Sequence, residues 1–252
     1  MITVVSVNYH STDFASLMID SVRRHSKEEY PILILDNSGD LPEDIGATVT
    51  KAGGNCGHGP GLDRIVPQVK TQYTLVLDID SHVLRAGWED EFLAILTSDE
   101  KVKLISAEGI PTKVFCPFVQ FFETEYFTKG GFTFREKGMR DCSDLGYGQL
   151  YLDVGVDFGL ETMRRGNKVH VLKSGDTYYA SQWHSEHGKN RNVFNLNGVP
   201  SFYHHWYGSR FYRERRDVVD DKTKDGWLES KRLLFDEYTK RYPDAQLRLE
   251  QS

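Results

Sequence analysis

The sequence predicts an α/β fold built on a mostly parallel central sheet flanked by helices, and three observations carry that expectation. Apolar runs in the amino-terminal part are short and continuous instead of alternating, as in strands covered on both faces. Strand-like and helix-like segments follow one another, which is the pattern of βαβ units. The apolar runs also end in Asn8, Asp36 and Asp78, at the carboxyl ends where open α/β sheets place ligands.

Each element follows from its local pattern. Ile2 to Val7 is a β-rich run ending at Asn8, and residues 14–25 set Leu17, Ile19 and Val22 among polar positions, as a helix does. Ile32 to Leu35 is a second continuous run, closed by Asp36 and the turn-forming NSGD. Residues 39–61 are rich in glycine and polar residues, with KAGGNCGHGPG at their centre; LDRIVPQV is then a short helical segment broken or started by Pro67. Tyr73 to Leu77 is the third strand and runs into two aspartates. Residues 88–97 place Trp88, Phe92 and Leu96 four apart, as on one helix face, and VKLIS is another strand.

The remainder is less regular. Residues 109–148 hold many aromatics and glycines without a clear period, Tyr151 to Arg165 turn helical with Gly166 as a carboxyl-terminal cap, and KVHVL is a strand. Residues 175–210 concentrate His, Trp, Tyr, Asn and Gly, and Asp220 to Tyr242 predict an amphipathic helix with a charged face. With no internal repeat and no low-complexity linker, the 252 residues are expected to form one compact unit.

Composition narrows the function classes. Thirty-one Lys and Arg against 37 Asp and Glu give a formal charge of −6, which disfavours a protein held on nucleic acid by broad counterion release. Cys56, Cys116 and Cys142 are an odd number far apart, without metal-finger spacing, and read as free thiols of a reducing compartment. The amino terminus reads as a first strand instead of a secretory leader, and no run of about 18 apolar residues occurs. A cytoplasmic protein is the expectation.

Asp78 and Asp80 flank Ile79 directly after a buried strand, so an extended chain there turns both carboxylates to one side. Paired hard oxygens at a sheet's carboxyl edge suit Mg²⁺ or Mn²⁺ shared with a substrate phosphate. Asp-x-Asp also arises by chance, and strand ends often carry turn aspartates. Four segments in order add weight: VVSVNYHSTDFASLMIDSVRRHS, ILILDNSG, NCGHGPGLDRIV and YTLVLDIDSHVLRAGW. Together they resemble the nucleotide-binding half of family 2-like glycosyltransferases with the GT-A fold, over about residues 2–90. The resemblance implies a Rossmann-like sheet with an irregular acceptor-side half. It divides the single catalytic domain into a nucleotide-sugar half (1–107), an acceptor and catalytic half (108–219) and a helical tail (220–252). It implies that Val7, Asn8 and Tyr9 border the base, that Asp36 bonds base or ribose, that Asn55, Gly57 and Arg64 sit by the nucleotide, and that Asp78 and Asp80 hold sugar, ribose and metal.

Rival uses of such a start lack their motifs. The first strand-to-helix connection, NYHSTDF, has no glycine and so no G-x-G-x-x-G turn, and no GxxxxGK[ST] occurs.

In the second half, LDVGVDFGLETMRRGNKV looks like the segment that carries the acid of such enzymes, with Asp153 and Asp157 as the matching residues for a general base. Asp153, Asp157 and Glu161 are equally the solvated face of a helix, opposite Phe158 and Met163. Asp153 is the preferred base, because it stands nearer the expected helix start. His204 or His205 in VPSFYHHWYGSR is the candidate to close the metal shell, an imidazole favouring Mn²⁺ over Mg²⁺; His184 and His187 are a second possibility. Trp183, Tyr203, Trp206 and Tyr207 suit stacking on a sugar or a base but equally a core. Arg210, Arg213, Arg215 and Arg216 form a basic patch that suits a diphosphate or phosphorylated acceptor, or an exposed helix face paired with the neighbouring acids.

The sequence therefore predicts a metal-dependent glycosyltransferase taking a nucleoside diphosphate sugar, UDP-sugar favoured, to an acceptor hydroxyl, inverting with an aspartate base, with a retaining mechanism as the alternative because no Glu-Asp pair is found. The acceptor is a glycan, a metabolite, a protein or a modified nucleic acid base. A nucleotidyl or sugar-phosphate transferase on the same metal logic, and a non-catalytic nucleotide-sugar or glycan-binding module, are the alternatives.

Overall fold

In the computed structural model, residues 1–109, 115–175, 192–205 and 221–249 are described. The first βαβ unit is β1 (Ile2–Asn8), α1 (Thr12–His25) and β2 (Ile32–Asp36), followed by β3 (Thr48–Lys51), α2 (His58–Ile65) and β4 (Tyr73–Leu77). β3, β2, β1 and β4 lie side by side and parallel, every β1 residue is buried, and Asn8 pairs with Asp36. The continuous apolar runs are thus the doubly covered strands they predicted.

Beyond β4 the sheet becomes mixed. β5 (Ser81–Val83), α3 (Trp88–Ser98) and β6 (Val102–Glu108) come next, then β7 (Phe115–Glu123), which inserts between β4 and β6 antiparallel to both. The expectation of a mostly parallel sheet holds across β3-β2-β1-β4, whereas β7 gives the centre a mixed character. β7 also lies within the stretch that had no clear period. Its run FCPFVQFFE is buried on both faces, so no alternation marks it.

α4 (Thr124–Gly130) leads to a separate hairpin of β8 (Gly138–Asp141) and β9 (Gln149–Leu152), then α5 (Val156–Arg164) and β10 (Lys168–Gly175), which is parallel to β6. The helix expected from Tyr151 starts only at Val156, because residues 149–152 pair in the hairpin; Gly166 follows it with φ +76°, as the cap requires. β11 (Val193–Leu196) and β12 (Val199–His204) complete the sheet and return to β5, antiparallel, with Ser81 opposite His204 and His82 opposite Tyr203.

The amphipathic tail is α6 (Asp221–Arg241). Trp227, Leu234, Phe235 and Tyr238 pack on Phe14, Leu17, Leu84 and Tyr203, while Lys231 pairs with Asp13 and the Tyr238 hydroxyl donates to Asp20 at 2.7 Å. Tyr203 is therefore a core residue here. Trp183, His184, His187, Trp206, Tyr207 and Arg210, Arg213, Arg215 and Arg216 lie outside the described residues. No described helix is long and apolar enough to cross a membrane, and none of the three cysteines is in a disulfide.

His82 is sealed beneath α6, its ring 5.0 Å from that of Tyr203 and 5.7 Å from that of Tyr238. Burial, with the charges of His25 and Arg241 adding, pushes its pKa from 6.5 down to about 3. Between those values the unfolded chain binds a proton that the folded chain refuses, so stability falls as pH drops from about 6.5 toward 3, by up to about 1.4 kcal/mol per pH unit. Urea unfolding at stepped pH should show that slope, and His82→Gln should flatten it; equal slopes in both proteins would contradict the assignment.

Candidate metal and nucleotide site

The carboxyl edge of β1, β2 and β4 brings together the residues that the strand ends advertised. Asp36 is fully buried. Its Oδ1 accepts from Asn8 Nδ2 at 3.0 Å and from the Ser38 amide and hydroxyl at 3.1 and 2.7 Å, and its Oδ2 accepts from the Leu41 amide at 3.0 Å. Burial pushes the Asp36 pKa up, but these bonds outweigh it and hold the carboxyl below its ordinary value. As placed, Asp36 anchors the loop after β2. Asn8 also bonds Ser38 and Asp40, and His10, in the left-handed region at φ +51°, reaches Asp40 through Nδ1 at 2.7 Å. Ser38, Asp40 and His10 went unnoticed in the sequence; the NSGD turn was their one signal.

The glycine-rich run becomes the start of α2. Gly57 caps it with φ +87°, its amide donating to Asn55 Oδ1 at 2.9 Å and its carbonyl accepting from Asn37 Nδ2 at 3.2 Å. A Cβ at Gly59 would lie 2.6 Å from the Phe134 carbonyl oxygen, and one at Gly61 would lie 3.0 Å from Val7 and Leu35. The glycines therefore seat the helix directly on β1 and β2. Val7 is accordingly a buried contact of α2, Tyr9 is half-buried with its ring 4.5 Å from that of His10, and Asn55 is exposed. Arg64 is exposed, bonds the Ala52 carbonyl at 3.3 Å, and lies about 9 Å along the helix from His58. It does not join the side chains around Asp78.

After β4 the chain turns instead of continuing extended. The Ser81 amide donates to the Asp78 carbonyl at 2.9 Å, and Ile79 is buried in the main core. This turn still presents both carboxylates to one place. His204 Nε2 stands 3.2 Å from Asp80 Oδ1 and 3.7 Å from Asp78 Oδ2. The ligand atoms of Asp78, Asp80 and His204 all lie within 4.8 Å of one another. His204 is stacked on Phe118, with ring centroids 4.1 Å apart.

His205 points the other way, as successive strand residues do. Its Nε2 meets Ser230 Oγ at 3.1 Å, and its ring faces Phe14 and Trp227. Of the two histidines His204 is the one at the carboxylates, and His205 is corrected to a strut beneath α6. The alternation decides this, and only the pairing of β12 with β5 says which face is which.

Two carboxylates and one imidazole are a donor set that suits Mn²⁺, and Mg²⁺ less well because of the nitrogen. Asp78 Oδ2 and Asp80 Oδ1 both face His204 Nε2, which fits one cation held among them, and the remaining Asp78 oxygen, Oδ1, is buried. The group nearest that oxygen is His58, the first residue of α2, with Nε2 at 3.2 Å. Burial lowers the His58 pKa, but the Asp78 carboxylate outweighs it, with Asp80 and Asp153 adding, and the imidazole is held above its ordinary value. His58 was not singled out from the sequence; its place directly after the helix-starting Gly57 was the available signal.

Asp153 is exposed on the link from β9 to α5, where its Oδ1 accepts the Val154 amide at 2.8 Å and its charge is felt at His58. Asp157 is buried in the first turn of α5 and paired with Lys137 Nζ at 2.6 Å. The two do not share a solvated helix face, because Asp153 precedes the helix and Asp157 faces inward.

No protein-family model matches the chain, and no curated protein matches it in sequence. Solved structures do. The mannosyltransferase PcManGT from Pyrobaculum calidifontis, in complex with GDP-Man and Mn²⁺, aligns at a TM-score of 0.53 and 14% identity over 70% of this chain. The present chain spans 57% of that mannosyltransferase. S. aureus TarS 1-349 in complex with UDP aligns at 0.51 and 13% identity, covering 98% of this chain and 67% of that one. Likeness at such identities speaks for the fold, and together with the β3-β2-β1-β4 order it makes this chain a mixed α/β domain of the Rossmann-like GT-A type.

Proposed function

We propose that the chain is a metal-dependent glycosyltransferase that moves a sugar from a nucleoside diphosphate sugar, UDP-sugar favoured, to an acceptor hydroxyl. The observation that carries this reading is the convergence of Asp78, Asp80 and His204 at the carboxyl edge, beside the Asn8 loop, in a fold shared with structures that hold GDP-Man with Mn²⁺ or UDP. Asp78, Asp80 and His204 would hold Mn²⁺, which supplies neutralisation of the charge on the departing diphosphate. The ends of β1 and β2 form the nucleoside side of the cleft, with Tyr9 and His10 offering rings there.

Asp153 is the base in this reading. It is exposed and its charge helps to raise the His58 pKa, whereas Asp157 is committed to Lys137. In this reading Asp153 accepts the acceptor's hydroxyl proton as the hydroxyl oxygen bonds to the anomeric carbon and the bond from that carbon to the diphosphate breaks, and attack on the face opposite the departing nucleoside diphosphate gives inversion.

The test is a panel of UDP, GDP, CDP and TDP sugars with Mn²⁺, Mg²⁺ or chelator, the released nucleotide being identified by mass. Metal-dependent release of one nucleoside diphosphate is the expected result. Release of a nucleoside monophosphate would make the chain a sugar-phosphate transferase, release of pyrophosphate from a nucleoside triphosphate supplied with a sugar phosphate would make it a nucleotidyltransferase, and donor binding without turnover at any metal concentration would make it a binding module.

A further inference from the structure

We infer that His58 is a positioning residue for the metal site: it holds Asp78 Oδ1 so that Oδ2 is the oxygen offered to the cation. The inference rests on the metal site proposed above. His58 Nε2 lies 3.2 Å from Asp78 Oδ1, while the same carboxylate's Oδ2 faces His204. The two oxygens are divided between two imidazoles. Asp78 thereby presents one oxygen in a set orientation instead of rotating about its side-chain bonds.

The scaffold behind His58 is stiff, as a positioning group needs. Asn37, at the end of β2, bonds the Gly57 carbonyl and accepts the Cys56 amide at 3.2 Å, which ties the start of α2 to the sheet edge. Further along, Asp63 accepts from the Phe134 amide at 2.7 Å and the Thr133 hydroxyl at 2.5 Å, which latches the helix to the segment before β8. Glycines at 59 and 61 remove any slack against Phe134, Val7 and Leu35. Asp78 is fixed from its own side, its amide donating to the Phe118 carbonyl at 3.1 Å. Two rigid supports therefore set one carboxylate angle, and outer partners of this kind typically contribute about 10- to 100-fold in metal affinity.

The experiment is Mn²⁺ titration of the full chain, read by electron paramagnetic resonance, for wild type, His58→Ala, His58→Gln and Asp78→Asn, with circular dichroism confirming folding. His58→Ala should weaken Mn²⁺ binding by about 10-fold or more. His58→Gln, which keeps an N–H donor of similar reach, should recover most of the loss. In the Asp78→Asn background His58→Ala should add little, because the carboxylate it orients is gone. Wild-type affinity in folded His58→Ala would overturn the inference while leaving the metal site standing. Loss of a ¹⁴N coupling from the bound Mn²⁺ in His58→Ala would also overturn it, by making His58 itself a ligand. Absence of Mn²⁺ binding in the wild-type chain would overturn the metal site and this inference together.

Discussion

Asp80→Ala should leave the chain folded and weaken Mn²⁺ binding by more than about 100-fold, beyond what loss of an outer partner costs, with metal-dependent donor turnover lost alongside. The Asp80 side chain is almost wholly buried, and its Oδ1 lies 3.2 Å from His204 Nε2. Asp80 is one of the two carboxylates among the three described residues of the cluster. The backbone around it is held independently, since the Asp80 carbonyl accepts the His205 amide at 3.0 Å and the Ser81 amide bonds Asp78. The turn therefore survives loss of the carboxylate. Removing Asp80 also relieves the repulsion of two close carboxylates in the metal-free chain, which offsets part of the lost packing. Calorimetric Mn²⁺ titration and the thermal midpoint without metal measure the two effects separately. Unchanged affinity and turnover would sink the metal assignment.

The second large effect is expected at Asp36. Asp36→Asn should destabilise the fold by about 3 kcal/mol, as removal of a buried, fully bonded charged acceptor does. Both carboxylate oxygens accept hydrogen bonds, from Asn8 and Ser38 on one side and from Leu41 on the other. An amide in either orientation points its NH₂ at one of these donors. The sign with pH follows from the depressed Asp36 pKa. The carboxylate's contribution is present above the unfolded value of about 3.9 and is lost as pH falls through the lower folded value. The penalty of the variant should therefore shrink below about pH 3.9. Urea unfolding and donor titration distinguish two roles: lost stability marks Asp36 as the anchor of the loop, whereas wild-type stability with lost donor affinity marks a direct nucleoside contact.

Much of the fold was legible because its signals are local. β1, β2 and β4 are continuous apolar runs closed by Asn8, Asp36 and Asp78, and parallel in-register pairing necessarily brings such ends to one edge. The amphipathic spacing of α1, α3 and α6 was equally readable. β7 was missed because burial on both faces erases alternation, and residues 149–152 were absorbed into a helix because a short hairpin strand carries little pattern of its own.

The sequence by itself determined most elements of the amino-terminal half, their order and the chemistry at their ends: a carboxylate pair after the third expected strand, a glycine-rich run ahead of a short helix, and an imidazole at 204 or 205. The tertiary structure decided which partners those groups meet. Antiparallel pairing of β12 with β5 selects His204 over His205, and the seating of α2 on β1 and β2 carries His58 to Asp78. Burial turned Asp36 and Asp157 inward while leaving Asp153 outside. The physical reason is range. Propensity, periodicity and turn chemistry act over a few residues, whereas the neighbours of a side chain at a sheet edge are set by strand register and by which face a distant strand presents.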